Sequence, residues 1–246
     1  MEFKDVTALR HDGGSSTEIH RIRAFYAEFD RGRHEITDLE RISYADRYLV
    51  EDCQRRLAVL LDKKLEKSLS RCRVLDLGCG FGSLLAWFHA QGVPAEQLVG
   101  VDLLPHRIAL AQRRYPALTF MTGNAEHLCL PRHSFDLVLA FTVFSSILDG
   151  DMAHNVAENV RDLLSPGGAV VWYDMRYPNP WNPNINGMTI SRIRDLFPSF
   201  KIDLEATTLI PQLSRRLRSR INVAYPLLAS IRLLRSHYLG LLRCPK

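Results

Sequence analysis

The chain has 246 residues, 46% of them hydrophobic and 24% charged, and a net charge of +5. That balance is ordinary for a folded α/β protein with one sizeable core and excludes the polar, aromatic-poor composition of disorder. Cys53, Cys72, Cys79, Cys129 and Cys244 form no Cys-x-x-Cys pair and have no His at zinc spacing, so neither a disulfide framework nor a metal site is expected, and a reducing cytoplasm fits. The opening MEFKDVTALRHDGG carries charges throughout, which argues against a secretory leader, and no stretch approaches the roughly 18 apolar residues of a membrane span. A soluble or at most peripheral protein is expected.

Residues 1–20 read as a polar lead, with Gly13-Gly14-Ser15-Ser16 as a loop signal. Helical spacing follows up to about residue 67: Ile22, Phe25, Tyr26 and Phe29 lie on one face, and Tyr48, Cys53, Leu57, Leu60, Leu61 and Leu65 on another. The period changes at Arg73. Strands are predicted at 73–77, 98–102, 118–122, 135–141, 168–174, 201–208 and 238–243, with helices near 83–91, 105–114, 151–164 and 189–196. Strands separated by helices of this length imply an α/β doubly wound, mostly parallel seven-stranded sheet, with the segment after His237 as an antiparallel last strand. Pro105 marks a helix start and Ser165-Pro166-Gly167-Gly168 a helix stop.

Val74-Leu75-Asp76-Leu77-Gly78-Cys79-Gly80-Phe81-Gly82 places three glycines where a buried strand turns into a helix, which lets backbone approach a nucleotide-like ligand. One helix later, Leu98-Val99-Gly100-Val101-Asp102 ends in a carboxylate able to accept both hydroxyls of a ribose. A dinucleotide-binding domain is the nearest competitor, but it wants G-x-G-x-x-G rather than the G-x-G-x-G present. The first segment resembles the first motif of class I S-adenosylmethionine-dependent methyltransferases, and V-G-V-D resembles their second. Thr122–Pro131 leading into Ser134–Val138 resembles the family's adenine-contacting turn and fourth strand, and Leu163–Gly168 its helix stop before the fifth strand.

This resemblance implies S-adenosylmethionine as cofactor. Gly78, Gly80 and Gly82 would line its methionine, with Cys79 a small buried residue of the same loop and Asp76 near the ammonium. Asp102 would hold the ribose, Leu103 flank the adenine, Asn124 and Ala125 contact it, and Phe141 sit near the sulfonium. Family members often carry Asp where Asn124 stands, so here an amide oxygen would meet the adenine amino group. The family's N-terminal helices commonly form a lid, which makes 1–70 a tail and lid and 71–246 the cofactor-binding core. Arg23, Tyr26 and Tyr44 are lid residues that can face the pocket, with Tyr26 the leading substrate contact.

Methyl transfer from a sulfonium demands alignment above all, and a base only for some acceptors. In doubly wound folds the chemistry gathers beyond the strand ends, here Phe141–Ser146 and Tyr173–Tyr177. Asp174 is the first candidate base, with His154 and His20 behind it; Asp174 orienting Arg176, and His154 as a solvated residue, are the competing readings. Phe144, Arg176 and Trp181, the last in the rigid 177–187 loop, are candidate substrate contacts. That loop follows the fifth strand, unlike the Asn-Pro-Pro-Tyr motif of base-modifying enzymes, which disfavours DNA methylation.

Between Pro211 and Ser236 six arginines alternate with leucines and isoleucines. These helices either fill the excursion between the sixth and seventh strands, the preferred reading since Pro226 breaks the segment, or lie on an anionic membrane. A looser resemblance to bacterial polysaccharide and specialised-metabolite methyltransferases makes a small-molecule, sugar or lipid-linked acceptor, methylated on oxygen, the expected substrate. RNA methylation, for which no binding module is visible, and a non-catalytic cofactor-binding scaffold are the alternatives. Acceptor atom and oligomeric state stay open.

Overall fold

The computed structural model describes residues 16–31, 43–179 and 182–245. Short apolar runs bounded by glycine or proline become strands: β1 (Val74–Leu77), β2 (Leu98–Asp102), β3 (Thr119–Thr122), β4 (Phe135–Phe141), β5 (Leu164–Met175), β6 (Lys201–Leu209) and β7 (Arg235–Arg243). They form one sheet in the order β3-β2-β1-β4-β5-β7-β6. The first five run parallel, and β7 is antiparallel to both β5 and β6. The expected doubly wound sheet with a reversed last strand is therefore present.

Strand residues alternate between two faces, and both faces are covered. Leu75, Leu77, Val99, Val101, Val170 and Trp172 pack under α1 (Ser16–Arg31), α5 (Gly150–Leu163) and α6 (Ile190–Leu196). Val74, Leu98, Leu137, Leu139 and Val171 pack under α2 (Tyr44–Lys64), α3 (Ser83–Ala90) and α4 (Pro105–Arg114). Pro105 does open α4. The Ser-Pro-Gly-Gly segment lies one residue beyond α5 and begins β5, where the pairing with β4 shifts register between Phe135 and Leu137.

After β6 the chain forms α7 (Pro211–Leu217) and α8 (Ile221–Ser230) before returning as β7. Ile221, Tyr225 and Ala229 bury one side of α8 against Leu209 and, from α2, Ala45 and Leu49. Pro226 stands inside α8 rather than breaking it. Proline removes one backbone hydrogen bond, and the apolar anchors on either side hold the turn in place. The helices thus fill the excursion, as expected, but only with one face.

Gly82 caps α3 from a left-handed conformation, φ 80°. A Cβ there would stand 2.6 Å from the Phe120 ring of β3. Gly82→Ala should therefore lower stability by about 3 kcal/mol, strain and overpacking together, measurable as a lower urea midpoint at unchanged slope; an unaltered midpoint contradicts this account of the glycine.

Candidate functional site

The carboxyl ends of β1, β2 and β4 open into one cavity. Gly78, Asp102, Leu103, Asn124, Ala125 and Phe141, all expected at a cofactor site, line it together with Tyr26. Gly78 adopts φ 68°, turning the chain at the end of β1, and a Cβ on it would approach Val143 to 3.1 Å. At the end of β4, Thr142 takes φ 56°. That conformation is an outlier for a β-branched residue, of the kind that collects at functional sites.

Asp102 organises the cavity floor. Its Oδ2 accepts the Gly80 N–H at 2.9 Å and its Oδ1 the Leu104 N–H at 2.9 Å. Each oxygen keeps a free lone pair, so the carboxylate can still accept two hydroxyls. Burial raises its pKa above the usual carboxylate range, opposed by the Arg107 guanidinium and the two backbone donors. Gly80 thus serves through its N–H, while Gly82 and Cys79, both buried, are absent from the cavity wall. Gly82 makes room for Phe120, as described above.

Asp76 lies on the β1 face opposite Leu75 and Leu77. It is 2% exposed, and its Oδ2 has no hydrogen-bond partner. Burial pushes its pKa well above the carboxylate range, with the Asp102 charge adding to the shift. A buried carboxyl in that state either stays protonated or awaits a cation. The Asn124 amide is turned to Glu126, accepting its N–H at 3.1 Å and donating to its carboxylate at 3.1 Å. Its oxygen is therefore already half engaged, which the sequence does not reveal.

α1 roofs the cavity through Ile22 and Tyr26, and it is clamped at both ends. Glu18 accepts the Leu148 N–H at 2.6 Å and is paired with Arg21, which itself donates to the Ser146 carbonyl at 2.7 Å and to Asn184 at 3.1 Å. Hydrogen bonds from Arg21 hold the Glu18 carboxyl below its usual range against the opposing effect of burial. At the other end, Asp30 accepts two hydrogen bonds from Arg107, at 2.7 and 2.8 Å. The same guanidinium lies 4.6 Å over the Tyr26 ring and 4.0 Å from Asp102. These clamp residues escape sequence reasoning because their partners across the fold lie 77 to 163 positions away.

Tyr26 Oη and Ser146 Oγ are 2.6 Å apart. Ser146 donates its single proton to the Thr142 carbonyl at 2.9 Å, so the Tyr26 phenol is the donor of the pair and keeps acceptor lone pairs on its oxygen. Burial raises its pKa above the ordinary tyrosine value. Such a phenol stays neutral, and can orient a hydroxyl without deprotonating it.

Other expected site residues are placed elsewhere. Asp174 shares the β5 face of Trp172, is fully buried, and spends both oxygens on backbone donors, the Ser145 N–H at 3.0 Å and the Met175 N–H at 2.8 Å. It shapes the 144–146 turn and does not reach the cavity as a base. Phe144 is fully buried and stacks on Trp172 with centroids 5.1 Å apart, so it is core rather than substrate contact. Arg176 donates to the carbonyls of Arg232 and Arg235 at 3.1 and 2.8 Å and lies over Tyr238, tying β5 to the chain before β7. His154 is exposed on α5, bonded to the Gly150 carbonyl and 3.2 Å from Asp195, outside the cavity. Arg23 and His20 are exposed and line no part of it. Tyr44 accepts from Asn222 of α8, because α2 packs on the sheet and α8 instead of roofing the cavity. Trp181 lies outside the described residues.

Residues 74–168 match the family model of a methyltransferase domain. A phthiotriol/phenolphthiotriol dimycocerosates methyltransferase of Mycobacterium ulcerans is 35% identical over 130 residues, 51% of this chain and 46% of that one. A demethylmenaquinone methyltransferase of Chlorobaculum tepidum is 34% identical over 113 residues, 45% of each chain. The chain thus spans about half the length of the curated relatives it matches. The solved S-adenosylmethionine-dependent methyltransferase of Mesorhizobium loti superposes with a TM-score of 0.57 at 22% identity, over 74% of this chain and 95% of that one.

Burial pushes the Asp174 carboxyl up to about 6 from its ordinary value of 3.8. Its raised folded-state pKa contributes stability that is fully present below about pH 4 and is lost as pH rises through about 6, some 3 kcal/mol in all. Asp174→Asn should flatten that part of the stability-pH curve measured by urea unfolding, whereas an identical slope in both proteins overturns the assignment.

Proposed function

Taking this chain as a class I S-adenosylmethionine-dependent methyltransferase, we propose that it methylates a hydroxyl oxygen on a small, largely apolar, lipid-linked acceptor. The observation that carries the reading is the juxtaposition, in one cavity, of the Asp102 carboxylate and the Tyr26–Ser146–Thr142 hydrogen-bond chain. The names of the relatives, which specify a lipid and a quinone, support an apolar acceptor.

The residues present fit the cofactor. Gly78 leaves backbone free of side chain on the cavity wall and Asp102 retains acceptor capacity for a ribose, while the unpartnered Asp76 oxygen, buried outside the cavity lining two residues before Gly78, suits an ammonium. When bound, the cofactor supplies a methyl group on a sulfonium whose positive charge vanishes as the methyl leaves. Phe141 and Val143 give the transfer an apolar wall. Tyr26 accepts the acceptor's hydroxyl hydrogen bond and aims its oxygen, and the proton released on methylation passes to solvent. Catalysis then rests on proximity and alignment, which need no dedicated base.

The test is incubation of the protein with methyl-labelled S-adenosylmethionine and lipid-linked alcohols, with demethylmenaquinol and RNA as competing acceptors. Label should appear in a methyl ether, and Tyr26→Phe should lower kcat/KM for the acceptor about tenfold, one hydrogen bond's worth, at unchanged cofactor affinity. Label on a ring carbon or on RNA alone contradicts the reading. Asp76→Asn should weaken cofactor binding without lowering the melting temperature of the cofactor-free protein, because it removes a buried carboxyl whose Oδ2 has no partner there; equal loss of both would make Asp76 a structural residue.

A further inference from the structure

We propose that the outward face of α8, with the arginines at its two ends, docks on an anionic lipid bilayer. Val223, Leu227 and Leu233 are 84%, 74% and 76% exposed, more than any other large apolar side chain among the described residues, and Ile231 is 48% exposed. Val223 and Leu227 are four residues apart, which keeps them on one side of α8 while Ile221, Tyr225 and Ala229 take the buried side, and the exposed Ile231 and Leu233 follow directly after its last turn. Isolated exposed apolar residues need no explanation, but a stripe of them does.

Charge identifies the occupant. Arg216, Arg218 and Arg220 are exposed just before the stripe and Arg232 within its end, and from Ala206 to Lys246 the sequence has no Asp or Glu. Guanidinium groups at phosphate depth with aliphatic side chains just beneath match the layered chemistry of an anionic membrane surface. A polynucleotide would neutralise the arginines and leave Val223, Leu227 and Leu233 in water. A second copy of the chain would cover the leucines and, about a two-fold axis, set arginines against arginines.

The topology gives the surface a use. β6 runs parallel to β5, being antiparallel to the same neighbour, so α7 and α8 follow a carboxyl-terminal strand end. They stand at the end of the sheet where the Asp102 cavity opens. Docking through α8 turns that end toward the bilayer. The proposal does not depend on methyl transfer or on the acceptor.

Co-sedimentation of the full chain with vesicles of phosphatidylcholine alone and of phosphatidylcholine with phosphatidylglycerol tests it. Binding should require the anionic lipid and weaken with salt. Val223→Ser with Leu227→Ser, and separately Arg216→Gln with Arg218→Gln and Arg220→Gln, should each reduce partitioning at least about tenfold. Calorimetric titration with S-adenosylmethionine should be unchanged in both variants, which separates loss of docking from loss of fold. Absence of binding to either vesicle, equal binding to both, or variants that sediment like the parent protein overturns the proposal. So does a dimer that the apolar variant dissociates while vesicle binding is absent.

Discussion

A single carboxylate at the end of β2 accepts backbone N–H groups from two different turns, Gly80 after β1 and Leu104 before α4. Those turns form two walls of the cavity, so Asp102 fixes the distance between them. Burying the charge is costly, and the backbone donors with the nearby Arg107 guanidinium offset that cost. Arg107 is in turn committed to Asp30 on α1. Floor, wall and roof of the cavity are therefore coupled through one short chain of charges: Asp102, Arg107 and Asp30.

The lid's second clamp uses different physics to the same end. Glu18 sits among backbone donors just ahead of α5, and Arg21 reaches across to Ser146 and to Asn184 in the loop after β5. That loop is itself pinned, Asn186 to the Ser145 carbonyl and Met188 to the Met175 carbonyl. Beneath it Asp174 holds the 144–146 turn. The consequence is a preorganised hydrogen-bond chain from the Tyr26 hydroxyl through Ser146 to the Thr142 carbonyl, already ordered at the cavity.

What was legible in the sequence follows from range. The strands and the β1 turn depend on neighbouring residues, so V-L-D-L-G-C-G-F-G and V-G-V-D announced the sheet and the position of Asp102. The helix stop before β5 is legible for the same reason, and α5 ends at Leu163. For Asp174, Phe144 and Arg176 the difference has one cause, the face on which a residue at or just past a strand end lands. Asp174 lies two residues from Trp172 and shares its face, beneath a turn whose path no local pattern discloses. Phe144 was drawn into the core by Trp172, and Arg176 by carbonyls some sixty residues downstream. Arg107, Asp30 and Glu18 carry no local signal because each acquires its role only when α1 meets the sheet, and Ser146, inside the 141–146 segment that the pattern marks, acquires its partner Tyr26 in the same way. Helical spacing puts Tyr26 on the apolar face of α1, the face that lines the cavity.

The proposed role on which the rest depends is that of Asp102 as the group that holds the cofactor's ribose. Calorimetric titration of S-adenosylmethionine and S-adenosylhomocysteine, with NADH as control, into the parent protein and Asp102→Ala tests it most directly. The account predicts binding of the two sulfur compounds alone, weakened roughly 10- to 100-fold in the variant, as loss of hydrogen bonds to a charged acceptor implies. Unchanged affinity in Asp102→Ala, or binding of NADH in preference to either sulfur compound, would contradict it.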